Sequence, residues 1–295
     1  MDISINGARV LITLKNVPLF GTVNITETVL ISWLVMAIIT GLCIWLGSGL
    51  KVTGISRKQA IAELAVTSLV KFVRGNMGTE FDRYIPLVGT IFATSVVSNL
   101  ISILGFWSPT ADLMTELGWA LVVFVLITYH KIKASGIGGY FKGFLDPIFL
   151  MAPINVMAEL FTPISMACRH FGNILSGTVI SALLYGALTA ASHGLLGLIG
   201  SNLIVAAIVV ALGAALIVWG RVKHKKLWFV VGIIALLLGI ASVLHNMGGF
   251  LGGIAWLSVG IPAITGLYFD WFGGCIQAFI FCTLTTIFIK QAAGD

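Results

Sequence analysis

Five ionisable side chains fall inside or at the edges of long apolar runs in this sequence: Asp112, Glu116, Glu159, Arg169 and Asp270. Such a group at bilayer depth costs about 2.5–3.5 kcal/mol on insertion scales and is retained where it meets a partner charge or serves an ion path. The chemistry these groups offer is ion transfer. A carboxylate can take up and release a cation, whereas a guanidinium stays protonated and acts as a fixed positive charge. No P-loop, nucleophile elbow or metal-ligand pair at helical spacing accompanies them. The chain therefore carries no visible catalytic, cofactor or metal centre and no means of its own to hydrolyse a nucleotide.

Arg169 stands in the middle of "ISMACRHFGNILSG", residues 164–177. At 100° per residue, Thr162, Ser165, Gly172, Asn173, Ser176 and Gly177 fall on the same side of a helix as Arg169, and Thr178 points the opposite way. Small residues let a neighbouring helix approach closely, and packing alone accounts for the glycines and serines. An arginine at the centre would obstruct that packing unless a negative charge came to meet it. Later in the chain, "FDWFGGCIQAFIFCTLTTIFI" places Asp270 and Gln277 on one helical face with Gly273 and Gly274 between them. Gln277 suits an interhelical hydrogen bond, and a carboxylate at Asp270 must be neutral, paired or wetted.

The elements that carry these residues must be membrane helices. Only 9% of the 295 residues are charged, the mean hydropathy is +1.06, and several apolar runs reach the roughly 20 residues that a crossing needs. A barrel would show alternating segments of about ten residues instead. The expectation is an all-α polytopic membrane protein. Spans are expected at 28–50, 84–106, 111–131, 148–190, 199–220, 227–245 and a last one ending near Lys290, with an amphipathic stretch at 57–74. "RVLITLKNVPLFGTVNIT" before the first span reads as a small extended or hairpin region. The first span starts too far into the chain, and lacks a small-residue cleavage site, to be a signal peptide.

Seven crossings from an outside N-terminus put fourteen of the seventeen Lys and Arg residues on the cytoplasmic side. Arg9 and Lys15 lie in the outer N-terminal region, and the outer loops near 105–110, 191–198 and 246–262 contain neither Lys nor Arg. Arg169 is the one basic residue left within the membrane. The net charge of +6 is thus a topology signal directed at the lipid bilayer, and it does not argue for nucleic acid. Cys43, Cys168, Cys275 and Cys282 form no CxxC pair and are expected to be buried as small hydrophobes.

Several motifs together resemble the a subunit of F-type ATP synthase, the membrane stator that faces the rotating ring of c subunits. "PINVMAELFTPISMACRHFGNILSG" is similar to the family's arginine-bearing helix and "GCIQAFIFCTLTTIFI" to its C-terminal glutamine helix. "YIPLVGTIFATSVVSNLISILGFWSPTADL" resembles its central helix pair and "GIGGYFKGFLDP" its inner loop. The matches run in order over residues 18–182 and 262–290. The resemblance implies long tilted or horizontal helices facing the rotor and an inner (plasma) membrane location with a cytoplasmic C-terminus. Its implied partners are the c-ring, b-type peripheral stalk subunits and the other synthase subunits. It further implies that Arg169 is the essential stator arginine, with Asn173 and Gln277 beside it on the rotor-facing surface. Asp270 then belongs to the outer half-channel, Glu159 lies near the inner one, and Asn99, Asp112 and Glu116 lie by the outer entrance. The ion is a proton or sodium.

The chain departs from the family pattern in three places. His170 replaces the usual leucine, as a proton carrier or as a lipid- or protein-facing imidazole, and Thr178 stands where many relatives have Glu or His. Residues 191–258, with "RVKHKK" between two apolar runs, read as an inserted transmembrane hairpin. The expected division is therefore an outer region 1–27, a membrane domain 28–190, the hairpin 191–258 and a rotor-facing helix within 259–295. The competing readings are a secondary cation transporter or channel that works alone, in which Arg169 pairs internally with Asp270 or Glu159, and an assembly or lipid-binding protein in which the stripe only packs.

Overall fold

A computed structural model describes residues 8–17, 21–53, 55–104, 106–146, 148–196, 203–246 and 261–294. The N-terminal region is an antiparallel hairpin of β1 (Val10–Val17) and β2 (Gly21–Thr26), with Leu14 opposite Val23. It is tied to the following helix by a hydrogen bond from the Glu27 amide to the Arg9 carbonyl, 2.8 Å. Helix α1 (Glu27–Gly47) exposes Trp33, Ile44 and Trp45, as expected of a surface that meets lipid.

Helix α2 (Arg57–Met77) is capped by Ser56, whose Oγ accepts from the Gln59 amide at 3.2 Å. It stops at Gly78, where φ of +89° suits a residue without a side chain. This is the amphipathic stretch, and it is not among the seven described helices that are long and apolar enough to cross a membrane. Those seven account for the expected spans, so the chain is an all-α polytopic membrane protein apart from its small hairpin.

After a 3₁₀ segment (Thr79–Tyr84), α3 (Ile85–Ile103) opens with Pro86, whose missing N–H costs nothing in a first turn. Helix α4 (Leu113–Gly143) runs twelve residues beyond the expected end at 131. The basic stretch "HKIKASGIGGYFK", which overlaps the expected inner loop "GIGGYFKGFLDP", is helical on both sides of Gly136, where φ of +73° redirects the chain without ending it. Helix α5 (Ala152–Ala191) has 40 residues. At 1.5 Å per residue that is about 60 Å of path, twice the hydrocarbon thickness, so it cannot be one perpendicular crossing.

The chain forms two compact units. The first comprises Asn6–Thr178 and Gly266–Asp295. At its centre lies α8 (Gly274–Ala292), packed on α2, α3 and α4. Phe281 and Ile289 of α8 share a core with Val73 and Met77 of α2, Val88 of α3 and Val123 of α4. Helix α8 is entered through a short helix (Ile261–Gly266) and a π-helical turn (Leu267–Gly273). The cysteines do not behave uniformly. Cys282 is buried, whereas Cys43 and Cys168 are exposed on α1 and α5, because the outside of a membrane helix is itself apolar and accepts a thiol.

The second unit is built on Val179–Thr265. Helices α6 (Leu203–Val222) and α7 (Lys226–Asn246) pair tightly around a turn at His224, φ +51°. Glycines make the contact backbone to backbone. A Cβ on Gly213 would lie 2.5 Å from the Leu236 amide nitrogen, and one on Gly232 2.6 Å from that of Ile217. Gly213→Val is expected to destabilise this pair by about 1–3 kcal/mol, the cost of overpacking. The measurement is the thermal stability of the purified chain in detergent, and an unchanged melting temperature would contradict backbone contact at this position.

Candidate functional site

Four helices of the first unit bring the polar residues together. On α3, "TSVVSNLIS" places Ser95, Asn99 and Ser102 at helical spacing. Asn99, 2% exposed, accepts through Oδ1 from the Thr110 hydroxyl at 2.7 Å. Thr110 in turn lies 2.7 Å from the Ser108 hydroxyl, which donates to the Ser98 carbonyl at 2.9 Å. The Pro-Thr-Ala-Asp turn is thereby fastened to the end of α3. Asp112 then caps α4, its Oδ1 accepting from the Met114 amide at 3.0 Å.

The glycine pair at the start of α8 receives two asparagines. A Cβ on Gly274 would lie 2.5 Å from Asn99 Nδ2, and one on Gly273 3.1 Å from Asn173 Nδ2. The groove anticipated between Asp270 and Gln277 is therefore occupied by amides from α3 and α5. Both Nδ2 atoms are buried without a hydrogen-bond partner among the described residues. Asp270 sits on the π-helical turn, so the assumption of 100° per residue fails between it and Gln277. Its side chain lies outside the described residues.

Arg169 and Gln277, distant in sequence, line one narrow crevice with Met166, Ile280 and Leu284. Arg169 is exposed, as are Ser165 and Ser176, whereas Gly177 is buried. Among the described side chains no carboxylate pairs with Arg169. The described part of the stripe thus divides, with the charge and the serines outward and Asn173 turned toward α8.

One turn of α5 also carries His170, which is 1% exposed and faces inward. Its Nδ1 lies 3.0 Å from Oε2 of Glu116, itself 0% exposed, and its Nε2 lies 3.2 Å from the Ser95 hydroxyl. The 3.0 Å contact has the distance of an ion pair without the angles of a hydrogen bond, and both Glu116 oxygens are otherwise unpartnered among the described residues. The His170 ring lies between Trp119 and Phe281, with centroids 6.5 and 6.1 Å away. Of the two expected possibilities for its packing, the protein-facing one holds. Ser95 and Thr110 were not anticipated, although the helical spacing of the polar residues on α3 was a usable signal.

Glu159 is placed in a second region. It forms an ion pair with Lys131 of α4 and lines an open cavity of about 600 Å³ with Tyr140, Asp146 and Asn155. A smaller cavity of about 230 Å³ continues past the same pair to Phe288 and Gln291 of α8. Lys131 falls at the end of the expected span 111–131, and the continuation of α4 to Gly143 keeps it on a helix beside Glu159. Pro163, buried within α5, lines this smaller cavity, and Thr162 donates its hydroxyl to the Ala158 carbonyl at 2.7 Å beside it. Nearby, His130 Nε2 lies 2.6 Å from the Tyr84 hydroxyl and 3.1 Å from Arg83. No group of three or more metal-ligating side chains occurs among the described residues.

Comparison with known proteins agrees with the resemblance. The model of the family described as "ATP synthase A chain" matches residues 29–219. ATP synthase subunit a 1 of Prosthecochloris aestuarii is 32% identical over 174 residues, covering 57% of this chain and 76% of that protein. ATP synthase subunit a 2 of Acaryochloris marina is 30% identical over 167 residues, covering 56% and 71%. The subunit a of Propionigenium modestum described as sodium ion specific is 28% identical over 287 residues, covering 92% of this chain and 75% of that protein. That last likeness runs across the segment 191–258.

Proposed function

Since the chain belongs to the ATP synthase A chain family, as an F-type a subunit, we propose that it is the non-catalytic, ion-conducting stator facing a ring of carboxylate-bearing c subunits. The observation that carries this reading is Arg169, a fixed positive charge exposed on a membrane helix with no carboxylate partner among the described side chains. A guanidinium so placed in a membrane calls for an anionic partner from outside the chain.

In this reading an ion enters from outside past Asp112, Glu116, Asn99 and Asp270 and neutralises a rotor carboxylate, which can then face lipid. After most of a turn, that carboxylate reaches the side of Glu159, where the 600 Å³ cavity offers water. The ionised form is favoured there by solvation and by the positive field of Arg169, so the ion leaves. Arg169 separates the two paths because it repels cations and cannot relay a proton. Asn173 and Gln277 line the rotor-facing surface beside it. The drive is the membrane potential, about 2.3 kcal/mol per charge per 100 mV, together with the ion gradient.

The N-terminus lies outside and the C-terminus in the cytoplasm, as the placement of the basic residues supports. Residues 1–27 form the outer region, 28–190 the body with the arginine helix, and 259–295 the rotor-facing end. The segment 191–258 is an added hairpin that meets lipid or a peripheral stalk subunit of the b type. The test is purification from membranes followed by reconstitution. The chain is expected to co-purify with a ring of small carboxylate-bearing subunits, and vesicles holding the whole complex should move ions only with ATP turnover. Ion transport by the chain alone would overturn the stator reading in favour of a stand-alone transporter.

A further inference from the structure

Resting on the stator reading, we infer that Glu116 and His170 together form a buried proton-binding site on the outer ion path, from which a rotor carboxylate is loaded. The two side chains come from different helices and are 0% and 1% exposed. Three of their polar atoms, both Glu116 oxygens and His170 Nδ1, have no hydrogen-bond partner among the described residues, while Oε2 and Nδ1 stand 3.0 Å apart. A carboxylate sealed from water with neither donor nor counter-charge is strongly disfavoured, so a proton belongs in this contact.

The proton count follows from the chemistry of the two groups. With Nε2 accepting from the Ser95 hydroxyl, Nδ1 carries the ring proton 3.0 Å from Oε2, and with the carboxyl ionised the pair has a net charge of minus one. One more proton, on either the imidazole or the carboxyl, makes it neutral. Exchange of one proton therefore switches the site between these two states, and that proton belongs to the pair rather than to either residue.

The pair is closed in by aromatic rings, with the Trp119 and Phe281 centroids 6.5 and 6.1 Å from that of His170. Within one turn of the contacting residues Glu116, Trp119, His170 and Phe281, the other ionisable side chains are Asp112 ahead of α4, Cys168 and Arg169 on α5 and Cys282 on α8, while α3 contributes none. Helix α3 instead supplies Ser95 and, one turn on, Asn99, which is hydrogen-bonded to Thr110 in the turn before Asp112. These polar groups lead from the α3–α4 turn toward His170.

The ligand is a proton rather than an alkali cation. A hard cation takes several oxygen ligands, whereas this contact presents an imidazole nitrogen, one carboxylate and one hydroxyl.

The experiment uses the whole complex in vesicles, with ATP-driven pumping measured across a pH series at fixed sodium. His170→Gln and Glu116→Gln are each expected to slow pumping by about 100-fold, the contribution of a positioned acid–base group, and to change the pH profile. The double variant should be no worse than either single one, because the groups act as a unit. Normal pumping with an unchanged profile, additive losses, or rates that follow sodium instead of pH overturn the site. For a variant that fails to assemble, infrared difference spectra of the unsubstituted complex decide. Carboxyl and imidazole bands titrating together support the pair, and their absence overturns it. The stator reading falls separately, through normal pumping by an Arg169→Ala complex.

Discussion

Arg169→Ala is expected to abolish ATP-driven ion pumping in a complex that still assembles with its full set of subunits. Assembly should survive because Arg169 is exposed and makes no ion pair or hydrogen bond among the described residues. Its removal leaves the core of α2, α3, α4 and α8 untouched. Under the proposed function, pumping should fail because a rotor carboxylate, once ionised, would meet no counter-charge on passing between the two proposed ion paths. Leaving one partner of a desolvated ion pair unmatched costs about 3–5 kcal/mol, which slows each passage by at least about 100-fold. Arg169→Lys should recover little. The ammonium is more strongly hydrated than the guanidinium and lacks its planar fork for two carboxylate oxygens. The measurement is dye-reported acidification of vesicles alongside ATP hydrolysis. Pumping at the normal rate by an assembled Arg169→Ala complex would refute the role assigned to this residue.

The second large effect is expected at Gly274. Gly274→Leu should sharply reduce the amount of assembled complex, and even Gly274→Ala should lower its stability. A Cβ there would lie 2.5 Å from Asn99 Nδ2 and 2.7 Å from Asn99 Cγ. Asn99 cannot swing aside cheaply, because it is 2% exposed and held by the Thr110 hydroxyl at 2.7 Å. Overpacking costs about 1–3 kcal/mol, and a displaced Asn99 would add about 1–3 kcal/mol for a buried polar group left unsatisfied. Gly118→Ala on α4 is the control, since nothing lies within 4 Å of a Cβ at that position. Complex yield and thermal melting measure both. Equal behaviour of the two variants would contradict the close approach of α3 and α8.

These two residues differ in how far the sequence alone reveals them. Arg169 declares itself locally, because the cost of a charge in an apolar run depends on its own segment and on nothing else. Gly274 does not. A glycine beside another glycine reads as a small face, and only the approach of Asn99 shows what that face receives.

The same division runs through the rest of the chain. Span number, the amphipathic α2, the N-terminal hairpin and the isolation of Arg169 among seventeen basic residues follow from sums over neighbouring residues, and these were legible in advance. The full length of α4 was not, because glycine and lysine in "HKIKASGIGG" resemble a loop, whereas Gly136 turns the backbone and lets helix resume. The angular relation of Asp270 to Gln277 was lost when a π-helical turn altered the residues per turn. Glu116 with His170, Lys131 with Glu159, and Asn99 with Gly274 each join residues far apart in the chain. Which of them meet depends on how whole helices are rotated against one another, a quantity set by the packing of every side chain at their interfaces. The sequence by itself determined that a charged residue in this membrane protein needs a partner. The tertiary structure decided which charges find theirs within the chain, and it left Arg169 facing outward.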